Sequence, residues 1–377
     1  MLRVLLVTGS YPPDRCGVGD YTSMLASALS ATGEIEVGIL TSLASTAPTG
    51  HEHAVPRPLK SIRHWRLRDL RQFRSVIKSW RPDIVHLQYP TQGYASGWLP
   101  ALIPLLGRWM GSPSVQTWHE AFGGSQGIRL ALMLASNPVS IVVRSNFMQL
   151  VHPILRPMLV RRELNLIPNA SAIPRTTRTA SEIAEVRDRL LGSQRRLIVF
   201  FGFLLAKKGA ELLYEIADPA TDKLVFVGPS DKEDTYLGEL QRLADQPRWS
   251  GKVLFTGFVE SAEAAVILAA SDAVVLPFRD GGGDWNTSIH GAVVNGAFVV
   301  TTSAEKSGYD SRTNVYHAPI DDVVVMKKAL REGGSHGRER DSNTDAEDDW
   351  HRIARAHIAV YTKALADASG LRHRRLA

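Results

Sequence analysis

Short apolar runs rich in Val, Ile and Leu alternate with longer amphipathic segments along nearly the whole chain, and this rhythm begins twice. Such an alternation is typical of parallel sheets covered by helices. The predicted strands are residues 3–9, 36–42, 83–89, 114–120, 140–145 and 164–170 in the first half, and 196–203, 223–229, 252–258, 273–278, 297–302 and 314–319 in the second half. The pattern predicts an α/β chain with two Rossmann-like, parallel-sheet domains.

The length of the chain also favours two domains, because 377 residues exceed the roughly 250–300 that one core usually serves. The predicted boundaries are an N-terminal domain at 1–172, a linker at 173–193, a C-terminal domain at 194–349, and a final helix with a basic tail at 350–377. Ligands of open parallel sheets bind beyond the carboxyl ends of the strands. We therefore expect the site in a cleft between the domains, lined by loops that directly follow strands.

The composition indicates a protein of the cytoplasm. Hydrophobic residues make up 44% and charged residues 22% of the chain, as in ordinary soluble proteins. No run approaches the ~18 apolar residues of a membrane span, and the first apolar stretch reads as a strand rather than a signal peptide. The single cysteine, Cys16, excludes an internal disulfide and fits a reducing compartment.

The net charge of +6 is concentrated in one segment, residues 57–81, which holds nine basic residues and one acid. Predicted as one basic helix over 60–81, it has a packed apolar side and a cationic side that either faces solvent or contacts anionic lipid at the inner face of the plasma membrane. Arg372 and Arg375 in the tail add to this charge. Nucleic-acid binding is not predicted, because no recognised module accompanies the charge.

No metal site is predicted. His51, Glu52 and His53 lack the four-residue spacing that places two histidines on one face of a helix.

The loop after the first strand contains Gly17 and Gly19 and leads into a helix predicted at 20–31, with Asp20 or Thr22 as its cap. Exposed amides at a helix start attract anions. A nicotinamide-dependent oxidoreductase is a competing hypothesis. Tyr21 and Thr22 replace the third glycine of a dinucleotide fingerprint, and the second strand ends without an acid to hold a ribose. A plain strand-to-helix turn is the other interpretation.

Two more strands of the first half end in polar residues. His86 and Gln88 lie at the end of one, and His119 follows the next. Because both strands end at the same edge, these side chains are candidates for contact with substrate. A histidine that is simply packed is the alternative.

In the second half, Lys207, Lys208 and Gly209 follow a strand and precede a helix. An ammonium close to the positive end of a helix is well placed to bind a diphosphate, although lysines at loop tips are often only solvated.

A second loop of this half, residues 279–296, places a run of three glycines (281–283), two aspartates and an Asn-Thr-Ser triplet between two strands. Glycines allow close approach to a ligand, and the triplet can cap a helix whose free amides hold phosphate oxygens. Asp280 or Asp284 can accept hydrogen bonds from sugar hydroxyls, and Gly296 is predicted to end the helix.

Taken in order, these motifs resemble the GT-B glycosyltransferases of family 4. The resembling stretches are YPPxxxGVGDYTxxLAxAL (11–29), PDIVHLQYP (82–90), TWHE (117–120), LIPNASAIP (166–174), GFxxxxKG (202–209), VFVGP (225–229), VLFTGFV (253–259), ASDAVVLPF (270–278), the strand entry at 296–300, and WxxIAxxHxxxY (350–361). Each is weak alone, but their order and spacing are specific, and they run nearly end to end.

The resemblance implies a metal-independent transferase that moves a sugar with retention of configuration from a nucleotide-diphosphate donor to a glycan or lipid-linked acceptor, without a cofactor. It also implies a C-terminal helix that crosses back to the first domain. The predicted catalytic residues are His119, Lys208 and Asp284; the predicted donor and phosphate residues are Gly17, Gly19, Lys207, Lys208, Gly209, Gly282, Gly283, Asn286, Thr287 and Ser288; and the predicted acceptor-side residues are Asp20, Tyr21, His86 and Gln88. The donor sugar, its base and the acceptor stay open.

The sequence departs from the family pattern in two places. Phe203 stands where members commonly carry an arginine, and the paired glutamates of the family fall on Gly283 and Gly291. A branch of the family also lacks this pair. By hypothesis, Asp284 and the amides of residues 286–288 take its place, and a catalytically silent partner protein with the same fold is the alternative.

Overall fold

The computed structural model describes residues 1–14, 16–43, 58–230, 235–333 and 346–376, with the backbone alone at Lys60, 346–348 and 370–376. The chain divides into two compact units. The first unit comprises residues 1–169 and 349–377, and the second unit comprises residues 170–348.

The first unit is built on a seven-stranded sheet in the order β3-β2-β1-β4-β5-β6-β7. Every neighbouring pair is parallel. Its strands are β1 (Leu2–Val7), β2 (Ile35–Ser42), β3 (Lys60–Ile62), β4 (Ile84–Tyr89), β5 (Ser114–Trp118), β6 (Val139–Val142) and β7 (Leu164–Leu166). β1 and β4 are buried nearly throughout, as expected for central strands covered on both faces.

Helices connect these strands. They are α1 (Gly17–Ala31), α2 (Leu70–Trp80), α3 (Leu99–Trp109), α4 (Gly127–Leu134) and α5 (Phe147–Leu150), with shorter 3₁₀ turns at Leu67–Asp69, Gln92–Tyr94, Gly124–Gln126 and Pro153–Met158. After the second unit the chain returns to the first, where the last helix packs through Trp350, His357 and Tyr361, all of them buried.

The second unit repeats the design with a sheet in the order β10-β9-β8-β11-β12-β14-β13. Its strands are β8 (Arg196–Phe201), β9 (Asp222–Val227), β10 (Val253–Gly257), β11 (Ala273–Leu276), β12 (Val299–Thr302), β13 (Gly308–Asp310) and β14 (Val315–Ala318). All pairs are parallel except β13 with β14, which is antiparallel at the edge.

The helices of the second unit are α6 (Ala180–Leu191), α7 (Leu213–Ile216), α8 (Thr235–Ala244), α9 (Ser261–Ala270), α10 (Thr287–Val294) and α11 (Val323–Glu332), and the final helix of the chain is α12 (Ala346–Leu376). Thr179 caps α6 by accepting from the Glu182 amide, while the Glu182 carboxylate accepts from the Thr179 amide. No helix in these described stretches is long and apolar enough to cross a membrane.

The predicted α/β class with two mostly parallel sheets is confirmed, and all twelve predicted strands are present within a few residues of their predicted ends. β3 and β13 were not predicted, since three residues are too few to show a pattern. Gly296 follows the end of α10 with a left-handed φ of 75°, as predicted for a helix stop.

The prediction of one basic helix over 60–81 is wrong. Residues 60–62 form β3, and Trp65 adopts a left-handed φ of 54° before the helical segment begins. The Trp65 indole is fully buried and donates to Ser42 Oγ at 2.8 Å, so tertiary packing overrides the helical spacing of the sequence.

Several predictions concern residues outside the described part of the chain or side chains that are not described. They are the charge at Arg57 and Lys60, the group at 51–53, and the basic tail at Arg372 and Arg375.

Candidate functional site

In the second unit, the loops that follow β8 and β11 meet the start of α10. Gly202 ends β8, and a Cβ at this position would lie 3.0 Å from Ser288 Oγ. The backbone at the end of β8 therefore lies directly against the first turn of α10. This contact brings the Lys207–Gly209 segment and the Thr287–Ser288 segment to the same edge of the sheet.

Lys208 is held in this loop by packing. Gly209 has a left-handed φ of 67°, and a Cβ there would overlap the carbonyl oxygen of Pro277, so glycine is required for steric reasons as well as conformational ones. The Lys208 ammonium lies 4.5 Å from the centre of the Phe278 ring, in cation–π contact. The half-buried lysine is thereby directed along the end of β11.

The loop after β11 is fixed by backbone bonds. The Gly282 amide donates to Thr302 O at 2.6 Å, which ties the loop to the end of β12. The Gly283 amide donates to Asn286 Oδ1 at 2.8 Å, and the Asn286 amide donates back to Gly283 O at 2.9 Å. This tight turn sets the direction in which α10 begins.

The first amides of α10 are a candidate anion-binding feature of the second unit. Asn286 is the N-cap residue, but its side chain is used on Gly283 and makes no capping bond to the helix. The amides of Ile289 and His290 donate to Asn286 O. Among the described residues, the amides of Thr287 and Ser288 have no acceptor, and both residues are half-buried. Such amides at a helix start attract phosphate oxygens.

The charged residues next to this turn are engaged in ion pairs. The Asp284 carboxylate lies 3.1 Å from Lys306 Nζ and is exposed, and the Asp284 carbonyl accepts from His290 Nε2 at 2.9 Å. The Arg279 guanidinium bonds to Asp321 at 2.8 Å and to Glu211. The ion pair of Arg279 with Glu211 attaches the loop after β11 to the turn that follows Gly209.

The structure accounts for the two glycines at the positions of the family glutamates. A Cβ at Gly283 would overlap the indole ring of Trp285, and a Cβ at Gly291 would lie 3.3 Å from Ile173 and 3.4 Å from Ser171 Oγ. Neither position has room for a longer side chain unless its neighbours move. The space next to the Cβ position at both glycines is thus occupied by neighbouring residues of this chain.

In the first unit, His119 lies in a buried polar network at the carboxyl ends of β4 and β5. His119 Nε2 lies 2.8 Å from Gln88 Oε1, and Gln88 Nε2 lies 3.2 Å from His86 Nε2. His86 also bonds to Thr117 Oγ1 and, through Nδ1, to Tyr361 of α12, both at 2.8 Å. His357 bonds to Tyr21 at 3.3 Å and to Ile353 O at 2.8 Å.

These bonds determine the tautomers of two histidines when Gln88 has this orientation. The Gln88 amide oxygen can only accept, so His119 Nε2 carries a hydrogen. The Gln88 amide nitrogen can only donate, so His86 Nε2 accepts and His86 Nδ1 donates to Tyr361. Among the described residues nothing bonds to His119 Nδ1, which is left as an acceptor suited to a ligand hydroxyl.

Burial keeps the three histidines neutral. Desolvation, with the nearby His357, lowers the pKa of His119 from 6.5 to about 3. Desolvation likewise lowers the pKa of His357 to about 4. The pKa of His86 is held well below its usual range by desolvation and by the nearby His357 and His119. The described residues contain no group of three or more His, Cys, Asp or Glu placed to hold a metal ion.

The predicted acceptor-side residues differ in accessibility. Tyr21, His86 and Gln88 are buried, and Tyr21 packs edge-on against His119 with ring centres 4.8 Å apart. These three therefore position His119 instead of forming a surface of their own. Asp20 is partly exposed, and desolvation raises its pKa from 3.8 to about 7.

The predicted start of α1 near Asp20 is wrong. The helix begins at Gly17 with Cys16 as N-cap, and neither Asp20 nor Thr22 caps it, since Thr22 Oγ1 donates to Val18 O at 2.7 Å. Gly19 lies close to Ser10, whereas a Cβ at Gly17 would meet nothing within 4 Å.

Comparison with known proteins adds one family match and many structural matches. Residues 16–153 match the model of the glycosyl transferase 4-like domain. No curated protein sequence matches the chain.

Three solved structures show the likeness of the whole chain. Sucrose-phosphate synthase from Thermosynechococcus elongatus has a TM-score of 0.67 at 17% identity, covering 100% of this chain and 99% of that one. A glycosyltransferase from Rickettsia africae has a TM-score of 0.69 at 15% identity, covering 97% and 98%. Anabaena HepE in complex with UDP and glucose has a TM-score of 0.67 at 14% identity, covering 98% and 100%.

The chain has the GT-B fold. The resemblance to family 4 is confirmed over residues 16–153 by the match to the glycosyl transferase 4-like domain. The half-buried Phe203 follows Gly202 at the position of the family arginine, so the cations that this loop offers are Lys207 and Lys208.

The sequence analysis did not predict which residues join these loops and networks. His357 and Tyr361 belong to the polar network but lie far along the chain from His86, and the motif at 350–361 gave no sign of this contact. Trp285 and Phe278 contact Gly283 and Lys208, and no local pattern indicates such contacts.

A first prediction concerns pH. The unfolded chain binds a proton at each histidine below about pH 6.5, whereas the folded chain does not, so the free energy of unfolding falls as pH decreases from 6.5. Each buried histidine is expected to lower the free energy of unfolding by about 2 kcal/mol as the pH falls from 6.5 to 5. Urea unfolding at several pH values measures this. His357→Gln should show a shallower dependence, and exposed His351→Gln on the same helix should match the wild type. A His357→Gln curve as steep as the wild type contradicts the account.

A second prediction concerns the closed glutamate positions. Gly291→Glu forces Ile173 and Ser171 away and is expected to lower the free energy of unfolding by about 1–3 kcal/mol or more. Gly238→Glu is the matched control, because Gly238 is also helical and has open space around its Cβ position. Thermal unfolding compares the two. Equal stability of both variants contradicts the steric explanation.

Proposed function

We propose that the protein is a glycosyltransferase that moves a sugar from a nucleotide-diphosphate donor to a glycan or lipid-linked acceptor, with retention at the anomeric carbon. The observation that carries this proposal is the position of the Thr287 and Ser288 amides. They lie next to the end of β8, at the sheet edge that also carries the Lys207–Gly209 segment. The GT-B fold and the glycosyl transferase 4-like domain support it. HepE, which is similar in fold, was solved with UDP-glucose and with UDP.

The donor diphosphate in this proposal lies at the start of α10. Its oxygens accept from the Thr287 and Ser288 amides, and Lys208 supplies the balancing charge. Gly209 permits the close contact with the Pro277 carbonyl that holds this loop in place. These groups are fixed before the ligand arrives, which is what makes electrostatic stabilisation effective.

The reaction breaks the bond between the anomeric carbon and the diphosphate oxygen, and the electron pair leaves with the nucleoside diphosphate. The acceptor hydroxyl oxygen forms the new bond on the same face of the sugar, and its proton passes to the departing phosphate oxygen. Lys208 and the two amides stabilise the charge that develops on that oxygen. No metal and no cofactor take part in this scheme.

His119 is proposed to bind the sugar. Its neutral ring presents Nδ1 as an acceptor for a sugar hydroxyl, and the bond from Nε2 to Gln88 fixes the ring in that state. Asp284 remains a candidate for a second hydroxyl, and its ion pair with Lys306 orients the carboxylate. Lys207 and Asp20 stay candidates for phosphate and acceptor contact.

The proposed setting is the cytoplasm, in the synthesis of a cell-surface polysaccharide or glycoconjugate. A lipid-linked acceptor would place the protein at an anionic membrane surface, as the charge of residues 60–81 suggests.

The amide contact can be tested without changing any other donor. Thr287→Pro removes one N–H at the first position of α10, where proline is well tolerated, and Asn286 before it already has an extended backbone. We expect roughly tenfold weaker binding of a nucleoside diphosphate, the value of a hydrogen bond to a charged group, with unchanged thermal stability. Thr287→Ala keeps the amide and should bind like the wild type. Equal affinity of the proline and alanine variants, by calorimetry, rules out the amide contact.

The charge contact has a separate test. Lys208→Ala is expected to weaken nucleoside diphosphate binding by about 10–100-fold. Lys328→Ala, an exposed lysine on α11, is the control for loss of one positive charge. If Lys208→Ala binds the nucleoside diphosphate as tightly as this control does, Lys208 does not contact the ligand.

A catalytically silent protein that binds a partner is the second candidate. The closed positions at Gly283 and Gly291 favour it, since neither has room for a carboxylate. A screen of nucleotide-sugar donors, scored by release of nucleoside diphosphate and by thermal shift, separates the two. A thermal shift without any release, in the presence of a range of acceptors, supports the silent protein.

A further inference from the structure

One surface of the first unit combines cationic and apolar side chains on two helices. On α2, Arg71, Arg74 and Lys78 lie at helical spacing on one face and, with Ser75 and Ser79, line a shallow groove of about 510 Å³. The opposite face of α2, with Phe73, Val76 and Ile77, is buried in the core. α2 therefore offers only its cationic face to an external partner.

The apolar part comes from α3. Leu105 and Trp109 lie four residues apart on one face of this helix, and they are 39% and 70% exposed. These two exposed side chains lie on an outer helix face and are not part of the core. They are side chains that bind well where an apolar phase meets water.

The two helix faces adjoin each other. The Arg74 guanidinium lies 5.5 Å from the centre of the Trp109 ring, so the cationic row of α2 borders the apolar pair of α3. Neither α2 nor α3 contains an aspartate or a glutamate. We call the surface formed by Arg71, Arg74, Lys78, Leu105 and Trp109 the α2–α3 surface.

We propose that the α2–α3 surface docks on an anionic lipid bilayer, with Trp109 and Leu105 inserted at the headgroup level and the three cations on lipid phosphates. The chemistry selects this partner, because a polyanion such as nucleic acid needs the cations but not the exposed indole and leucine. Arginine and lysine stems also extend along apolar surface while their charged ends contact phosphate. The inference rests on the proposed function, where it specifies the membrane partner.

The sequence predicts a packed apolar side for the basic segment, and Phe73 and Ile77 are in the core as expected. The inserting side chains lie on α3, outside residues 60–81. A membrane-bound state built this way needs no rearrangement of α2.

The test uses the full-length protein and flotation with vesicles of phosphatidylcholine alone or with about 30% phosphatidylglycerol. The wild type is expected to bind the anionic vesicles only. Arg71→Gln and Lys78→Gln should each weaken binding about fivefold, and Trp109→Ala and Leu105→Ser should each weaken it several-fold. Brominated acyl chains should quench the wild-type fluorescence more than that of Trp109→Phe.

Matched controls lie in the second unit. Lys328→Gln removes an exposed charge, and Val324→Ser removes an exposed apolar side chain, 79% accessible, and both should bind like the wild type. Binding that is independent of phosphatidylglycerol, or unaffected by Trp109→Ala and Leu105→Ser, overturns the proposal. Retention on heparin without any vesicle binding also overturns it, in favour of a polyanion.

Nucleoside diphosphate binding, measured on the same variants, keeps the two proposals apart. It should be unchanged in Trp109→Ala and Arg71→Gln, because neither residue is in the second unit. A wild type that binds vesicles but no nucleoside diphosphate refutes the proposed function and leaves the docking surface standing. The reverse result refutes the docking surface alone.

Discussion

The close approach of Gly209 to the carbonyl of Pro277 is the contact on which the candidate site of the second unit depends. Only glycine fits there, and the left-handed backbone at Gly209 turns the preceding lysine over the Phe278 ring. The Gly202–Ser288 contact then places the start of α10 at the same edge. An ammonium and two amides are thus assembled by backbone packing, which gives them little freedom to reorganise when a charged ligand binds.

The first unit organises its chemistry by a different means, a buried chain of hydrogen bonds. In this chain His119 donates to Gln88, and Gln88 donates to His86. Bonds to Tyr361 and Tyr21 connect the network to α12 and α1. Because every ring is desolvated, the network is stable only while the histidines are neutral. The same burial that leaves His119 Nδ1 as an acceptor also makes the unit sensitive to acid.

Much of this structure could be predicted from the sequence, and the parts that could not have physical reasons. Buried parallel strands are continuous β-branched runs, so they could be recognised in the sequence. β3 and β13 have too few residues to show such a pattern. The glycines of 281–283 and the triplet at 286–288 indicated a phosphate-binding turn. The filling of the glutamate positions by Trp285 and Ile173 was invisible, because it depends on where side chains pack. The same holds for Trp65, whose burial breaks the helical spacing of the basic segment.

The most direct measurement is a crystal structure of the protein with a nucleoside diphosphate. The account predicts diphosphate oxygens within hydrogen-bonding distance, about 2.7–3.2 Å, of the Thr287 and Ser288 amides, with the Lys208 ammonium on the same group. A diphosphate bound elsewhere on the chain, with water on these two amides, would contradict it.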